Sequence, residues 1–115
     1  APLAARLSCT MDRIAALEGF LADDPDDPFT RFALAQEHAK RGDTDRALAF
    51  YEALVADRPD YVGTYFHLGA LYRALGRTAD ALDTYRAGIG AATSASDLHA
   101  RAELQSALLE AEFDD

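Results

Sequence analysis

A chain of 115 residues, half of them apolar, is long enough for one domain with a modest core. The net charge of −9 arises from 20 acidic against 11 basic side chains, and these are interspersed, whereas a phosphate backbone demands clustered Lys and Arg; nucleic acid is therefore not an expected partner. No apolar run approaches the roughly 18 residues of a bilayer span, no signal peptide pattern is visible, and the single Cys9 permits no internal disulfide; the expectation is a cytoplasmic protein without a membrane partner.

In chain order, the first predicted helix covers about residues 10–24. It ends in an acidic turn, Asp23, Asp24, Asp26 and Asp27. That run lacks the glycine and distal Glu of a calcium loop, so helix capping is the better reading and no metal is expected. A helix over 29–41 follows, with Asp27 as its cap and Pro28 in its first turn. Phe32, Leu34, Ala35 and Ala39 are its apolar positions, and Gly42 ends it through a left-handed turn. Thr44 is the expected cap of the next helix, and a short turn makes the two antiparallel.

The same arrangement then recurs 34 residues later. Phe32, Leu34, Gly42, Thr44, Ala47, Leu48, Tyr51 and Ala53 fall on Phe66, Leu68, Gly76, Thr78, Ala81, Leu82, Tyr85 and Ala87. Backwards, Ala22, Asp23, Pro25 and Asp26 fall on Ala56, Asp57, Pro59 and Asp60, so the first helix is half of one more unit. Self-similarity at this period marks stacked helical hairpins. Ala35 and Gly69 stand where two helices of a hairpin should cross, facing Ala47 and Ala81. A large side chain there pushes the axes apart, at about 1–3 kcal/mol. Gly88 and Gly90 weaken the helix that carries them by about 1 kcal/mol each, so the repeat is expected to loosen after about residue 88. Ser94 and Asp97 resemble a capping box for a last helix over 96–113. Its apolar stripe is Ala100, Leu104, Ala107, Leu108 and Ala111.

Each unit resembles a tetratricopeptide repeat. The residues that carry the likeness are Leu34, Ala35 and His38 with Gly42, Ala47, Tyr51 and Pro59, then Leu68, Gly69 and Tyr72 with Gly76, Ala81 and Tyr85. The departures are Arg31 and Tyr65 in place of the usual Trp, Leu54 and Gly88 in place of a small Ala, and Thr93 in place of the closing Pro. The resemblance implies an all-α fold, antiparallel helical hairpins stacked in a short right-handed superhelix. It implies a single domain over 1–115, with a half repeat at about 10–24, repeats at 28–61 and 62–93, and a capping helix at 96–113.

It also implies a non-catalytic module that binds a peptide or partner helix on its concave face. The residues assigned there are Phe29, Phe32, Gln36, Lys40, Phe66, His67, Ala70 and Arg73. Some family members hold a C-terminal carboxylate with Lys, Asn and Arg. Here Phe32, Gln36, Phe66 and Ala70 stand at those places, so that clamp is largely missing and Lys40 and Arg73 remain as lone cations. The alternative is a self-association or intramolecular assembly module, motivated by the stretch from Gly88 to Thr93; a monomer or weak dimer is expected. His38, His67 and His99 are not spaced as a ligand set, Cys9 has no catalytic partner at meaningful spacing, and the glycines are isolated, so no cofactor is expected.

Overall fold

The computed structural model describes residues 2–113, with side chains described from Arg13 to Phe113. Among the described residues every regular element is a helix: α1 (Pro2–Asp23), α2 (Pro28–Lys40), α3 (Thr44–Asp57), α4 (Gly63–Ala74), α5 (Thr78–Ser94) and α6 (Leu98–Phe113). The all-α class expected from the periodicity is what forms. The helices divide after Phe50 into two compact units, and α3 contributes to both.

In the first unit α1 packs on α2. Asp27 caps α2 as its spacing predicts: the carboxylate accepts the Thr30 N–H at 3.2 Å and the Thr30 hydroxyl at 2.5 Å, and Pro28 fills the first turn, where its missing N–H costs nothing. The buried face of α2 carries Leu34, Ala35 and His38. Gly42 takes the left-handed conformation at φ +79°, and the next amide, Asp43, bonds back to the His38 carbonyl at 2.9 Å. That closes the helix end in the manner of a Schellman turn. The cap of α3 is Asp43 rather than Thr44, because its carboxylate accepts the Arg46 N–H at 3.3 Å. His38 takes an aromatic position and lies stacked on Phe50 of α3, ring centroids 5.8 Å apart and 10° from parallel.

In the second unit α5 packs on both α4 and α6, and α4 also touches α6. The turn between α4 and α5 repeats the first one: Gly76 at φ +76°, and the Arg77 amide on the Tyr72 carbonyl at 2.8 Å. Arg77 now stands at the cap position and offers no side-chain acceptor. Its Nε donates to Asp80 at 2.8 Å instead, and its guanidinium sits 4.6 Å from the Tyr72 ring centroid. Thr78, like Thr44, is therefore the first helical residue and not a cap.

Two glycines set the helix spacing. A Cβ on Gly69 would lie 2.3 Å from Cε1 of Tyr85, so the small residue of α4 makes room for that ring of α5. A Cβ on Gly88 would lie 2.5 Å from Cβ of Tyr65 and 3.1 Å from a methyl of Leu104. The expected loosening after residue 88 does not occur: α5 continues unbroken to Ser94, and Gly88 is buried at a close approach of α5 to both neighbours. The local cost of a helical glycine is offset by the packing that its missing side chain allows.

The capping residue of α6 is Asp97, whose carboxylate accepts the Ala100 N–H at 3.0 Å; Ser94 is instead the last residue of α5. Between them Ser96 adopts φ +57°, and Asp97 N–H bonds to the Ala92 carbonyl at 2.9 Å. This third turn thus copies the first two without a glycine. Leu104, Ala107 and Ala111 form the buried face of α6.

The repeats differ at one buried hydroxyl. Thr30 gives its hydroxyl to Asp27, whereas the buried Thr64, one repeat on, has no hydrogen-bond partner for its own. Tyr61 occupies the place of Asp27 and brings no carboxylate.

Three substitutions test this account by urea denaturation. Gly88→Ala lowers stability by about 1–3 kcal/mol, the usual range for overpacking; an unchanged midpoint would show that the close approach is not required. Gly90→Ala meets nothing within 4 Å and raises stability by about 1 kcal/mol. Ser96→Gly relieves a left-handed residue and stabilises by about 1 kcal/mol or somewhat more.

Candidate functional site

The residues assigned to partner binding are placed by α2 in the first unit and α4 in the second. On α2, Phe29 is 67% exposed, Gln36 and Lys40 are exposed, and Phe32 is half-buried. Lys40 is not a lone cation. Its ammonium lies 3.9 Å from Glu37, a buried carboxylate that also holds Arg13 of α1 at 3.0 Å. One buried carboxylate thus serves two exposed cations, one of them a turn away on the same helix.

On α4, Phe66, Ala70 and Arg73 share one face, at spacings of four and three. Phe66 is 38% exposed and Ala70 is exposed. His67 stands beside them, half-buried. Its ring stacks on Tyr51 of α3 at 6.4 Å and 11°, and Phe66 meets it edge-on at 5.9 Å and 79°. Burial lowers the His67 pKa below its ordinary 6.5, and Glu103 of α6 opposes this more weakly. Tyr51 is pushed up to about 12 by its own burial.

Arg73 is likewise engaged. Its guanidinium is 3.9 Å from Glu110 of α6 and hydrogen-bonds the Tyr85 hydroxyl. Arg73, expected as a lone cation, thus contacts both α5 and α6. Its chain neighbour Tyr72 donates to Glu52 of α3 at 2.6 Å, and burial with that bond pushes its pKa up to about 12.

Beside Phe66 and His67 an open cavity of about 150 Å³ lies between the start of α4 and the first half of α6. Leu104 is buried beneath it, and Val62 and Ala100 line it with partly exposed apolar surface. Among the described residues, Glu103 contributes its only acidic side chain. The sequence does not mark these α6 residues as partner-binding. Leu104 belongs to the expected apolar stripe, and the pair His99 and Glu103, one turn apart, is visible there. What they face is not visible, because α6 stands out of the 34-residue register.

The acidic run resolves into capping chemistry at Asp27. Among the described residues no three His, Cys, Asp or Glu side chains stand together as a metal-holding group, and no helix is long and apolar enough to cross a membrane. Cys9 lies outside the residues whose side chains are described.

The sequence profile of the tetratricopeptide repeat family matches residues 38–108. A solution structure of a tetratricopeptide repeat domain protein from Salinibacter ruber is 55% identical, with a TM-score of 0.77, over 80% of this chain and 93% of that one. A crystal structure of a tetratricopeptide repeat domain protein from the same organism is also 55% identical, with a TM-score of 0.75, over 77% of this chain and 100% of that one. The TPR2B domain of yeast Sti1, solved as a complex with pHsp70, shares the fold at a TM-score of 0.83 and 18% identity, over 96% of this chain and 88% of that one. Among curated proteins, no sequence matches. The chain belongs to the tetratricopeptide repeat family. That fold serves in general as a protein–protein interaction module and is generally non-catalytic.

The lowered pKa of His67 has a consequence for stability. The folded state disfavours the imidazolium, so the unfolded chain binds more protons once the pH falls below the ordinary 6.5. Stability is therefore full above that pH and declines as the pH falls through it, until the folded-state histidine is also protonated. Melting temperatures between pH 7.5 and 5 should fall less steeply for His67→Gln than for the parent chain; parallel curves would remove His67 as the source.

Proposed function

We propose that this chain binds a peptide or a partner helix on its first-helix faces, which form the concave side in the family. One observation carries the reading: Phe66 remains 38% exposed on α4, beside an open cavity and the exposed Ala70. A large aromatic side chain left out of the core next to a concavity is a common feature of binding surfaces. Phe29, Phe32, Gln36 and Lys40 on α2 supply the corresponding face of the first unit, and His67 and Arg73 frame the α4 face. The role is non-catalytic, in a cytoplasmic setting consistent with a single cysteine and an acidic surface. Yeast Sti1 uses a domain of this fold in its complex with pHsp70, which supports a peptide-sized ligand; the replaced carboxylate-clamp positions argue for a different ligand chemistry here.

A second reading is self-association or assembly within a larger complex. Its original motive, an irregular stretch from Gly88 to Thr93, is gone, since that stretch is helical. A different observation supports it: Leu98, Leu109 and Phe113 are exposed along one side of α6. Light scattering that shows monomer at every concentration would remove the self-association form.

The two readings separate by mutation. Phe66→Ala abolishes capture of a partner from a lysate of the source organism while circular dichroism remains helical. Capture retained in Phe66→Ala, and also in the double variant with Phe32→Ala, would overturn the first-helix reading.

A further inference from the structure

We infer that the cavity between α4 and α6 receives an arginine or lysine side chain of the bound peptide, so that the partner is basic rather than acidic. This rests on the reading that the α4 face binds a peptide, and it adds the chemistry of that peptide. The size comes first. A volume of about 150 Å³ matches roughly five waters at ~30 Å³ each, room for one side chain and not for a helix.

Its lining then selects the kind of side chain. Phe66, Val62, Ala100 and the buried Leu104 offer apolar surface for a methylene stem. Gly63 adds no side chain to block the entrance. Glu103 is half exposed at the cavity and supplies a carboxylate for the head group. A long cationic side chain has this division, an apolar stem and a charged end, and the Phe66 ring adds an attractive face for the cation.

The surrounding charges point the same way. Among the described residues, no Lys or Arg lines the cavity. Arg73, farther along α4, already serves Glu110 and Tyr85. An acidic side chain placed here would meet Glu103, and burial holds the lining His67 toward its neutral form, so that ring supplies little charge to offset the repulsion. The existing partner of Glu103 is His99 on the next turn, whose side chain is 87% exposed. A surface pair of that kind holds weakly, and an incoming guanidinium with two parallel donors competes well against it.

The test uses the whole chain, isotope-labelled, titrated with two capped peptides, acetyl-Leu-Arg-Leu-amide and acetyl-Leu-Glu-Leu-amide, and followed by amide NMR. The arginine peptide is expected to shift Gly63, Phe66, His67 and Glu103, and to bind about fivefold more tightly than the glutamate peptide, the upper end for one exposed ion pair. Glu103→Gln should weaken the arginine peptide by a similar factor, whereas Glu112→Gln, a carboxylate of α6 away from the cavity, should leave it unchanged. Equal or tighter binding of the glutamate peptide on the same residues overturns the basic preference and leaves the α4 face standing. Equal losses in Glu103→Gln and Glu112→Gln reduce the effect to net charge and overturn it too. Shifts in neither titration overturn both this inference and the peptide-binding reading beneath it.

Discussion

Helix α5 comes close to both its neighbours because Gly69 and Gly88 carry no side chain. The first lets the Tyr85 ring come up against the α4 backbone. The second lets Tyr65 of α4 and Leu104 of α6 close over α5 itself. Each tyrosine is then fixed at its hydroxyl: Tyr65 donates to the Pro59 carbonyl at 2.6 Å, and Tyr85 is bonded to Arg73. Dense packing and satisfied polar ends arrive together, which is why two residues that weaken a helix in isolation strengthen the unit.

The surface features follow from that spacing. With α6 drawn against α5 and α4, Glu110 comes within reach of Arg73 and Glu103 comes beside Phe66 and His67. One contact removes a cation from the surface, and the other adds a carboxylate to it. The character of the α4 face is therefore set as much by α6 as by α4. A family resemblance confined to the repeats does not reach that far.

Much of the fold is legible in the amino acids. The 34-residue period, the Asp27–Pro28 start and the Gly42 and Gly76 turns are local chemistry, and local chemistry is what a sequence displays. The failures share a cause. Gly88 reads as a weak point because propensity is a property of one residue, while its role depends on Tyr65 and Leu104, which lie in other helices. Ser94 reads as a cap because the third turn lacks its glycine; Ser96 takes the left-handed place and moves the cap to Asp97. Thr44 and Thr78 read as caps because threonine is a common capping residue, whereas the left-handed glycine turn puts Asp43 and Arg77 at that position. The site residues on α4 were readable by register. Their partners on α6 were not, since the spacing from Gly76 to Ser96 breaks the period that predicts neighbours.

The seat of Tyr85 has a dynamic side. Its ring is almost fully buried, lies against the Gly69 backbone, and is held at its hydroxyl. A half-turn about the Cβ–Cγ bond needs free volume around a ring packed this closely. The ring can flip only when α4 and α5 part briefly. The flip rate of one aromatic ring is thus a clock for the breathing of the hairpin, readable without unfolding the chain or adding a ligand.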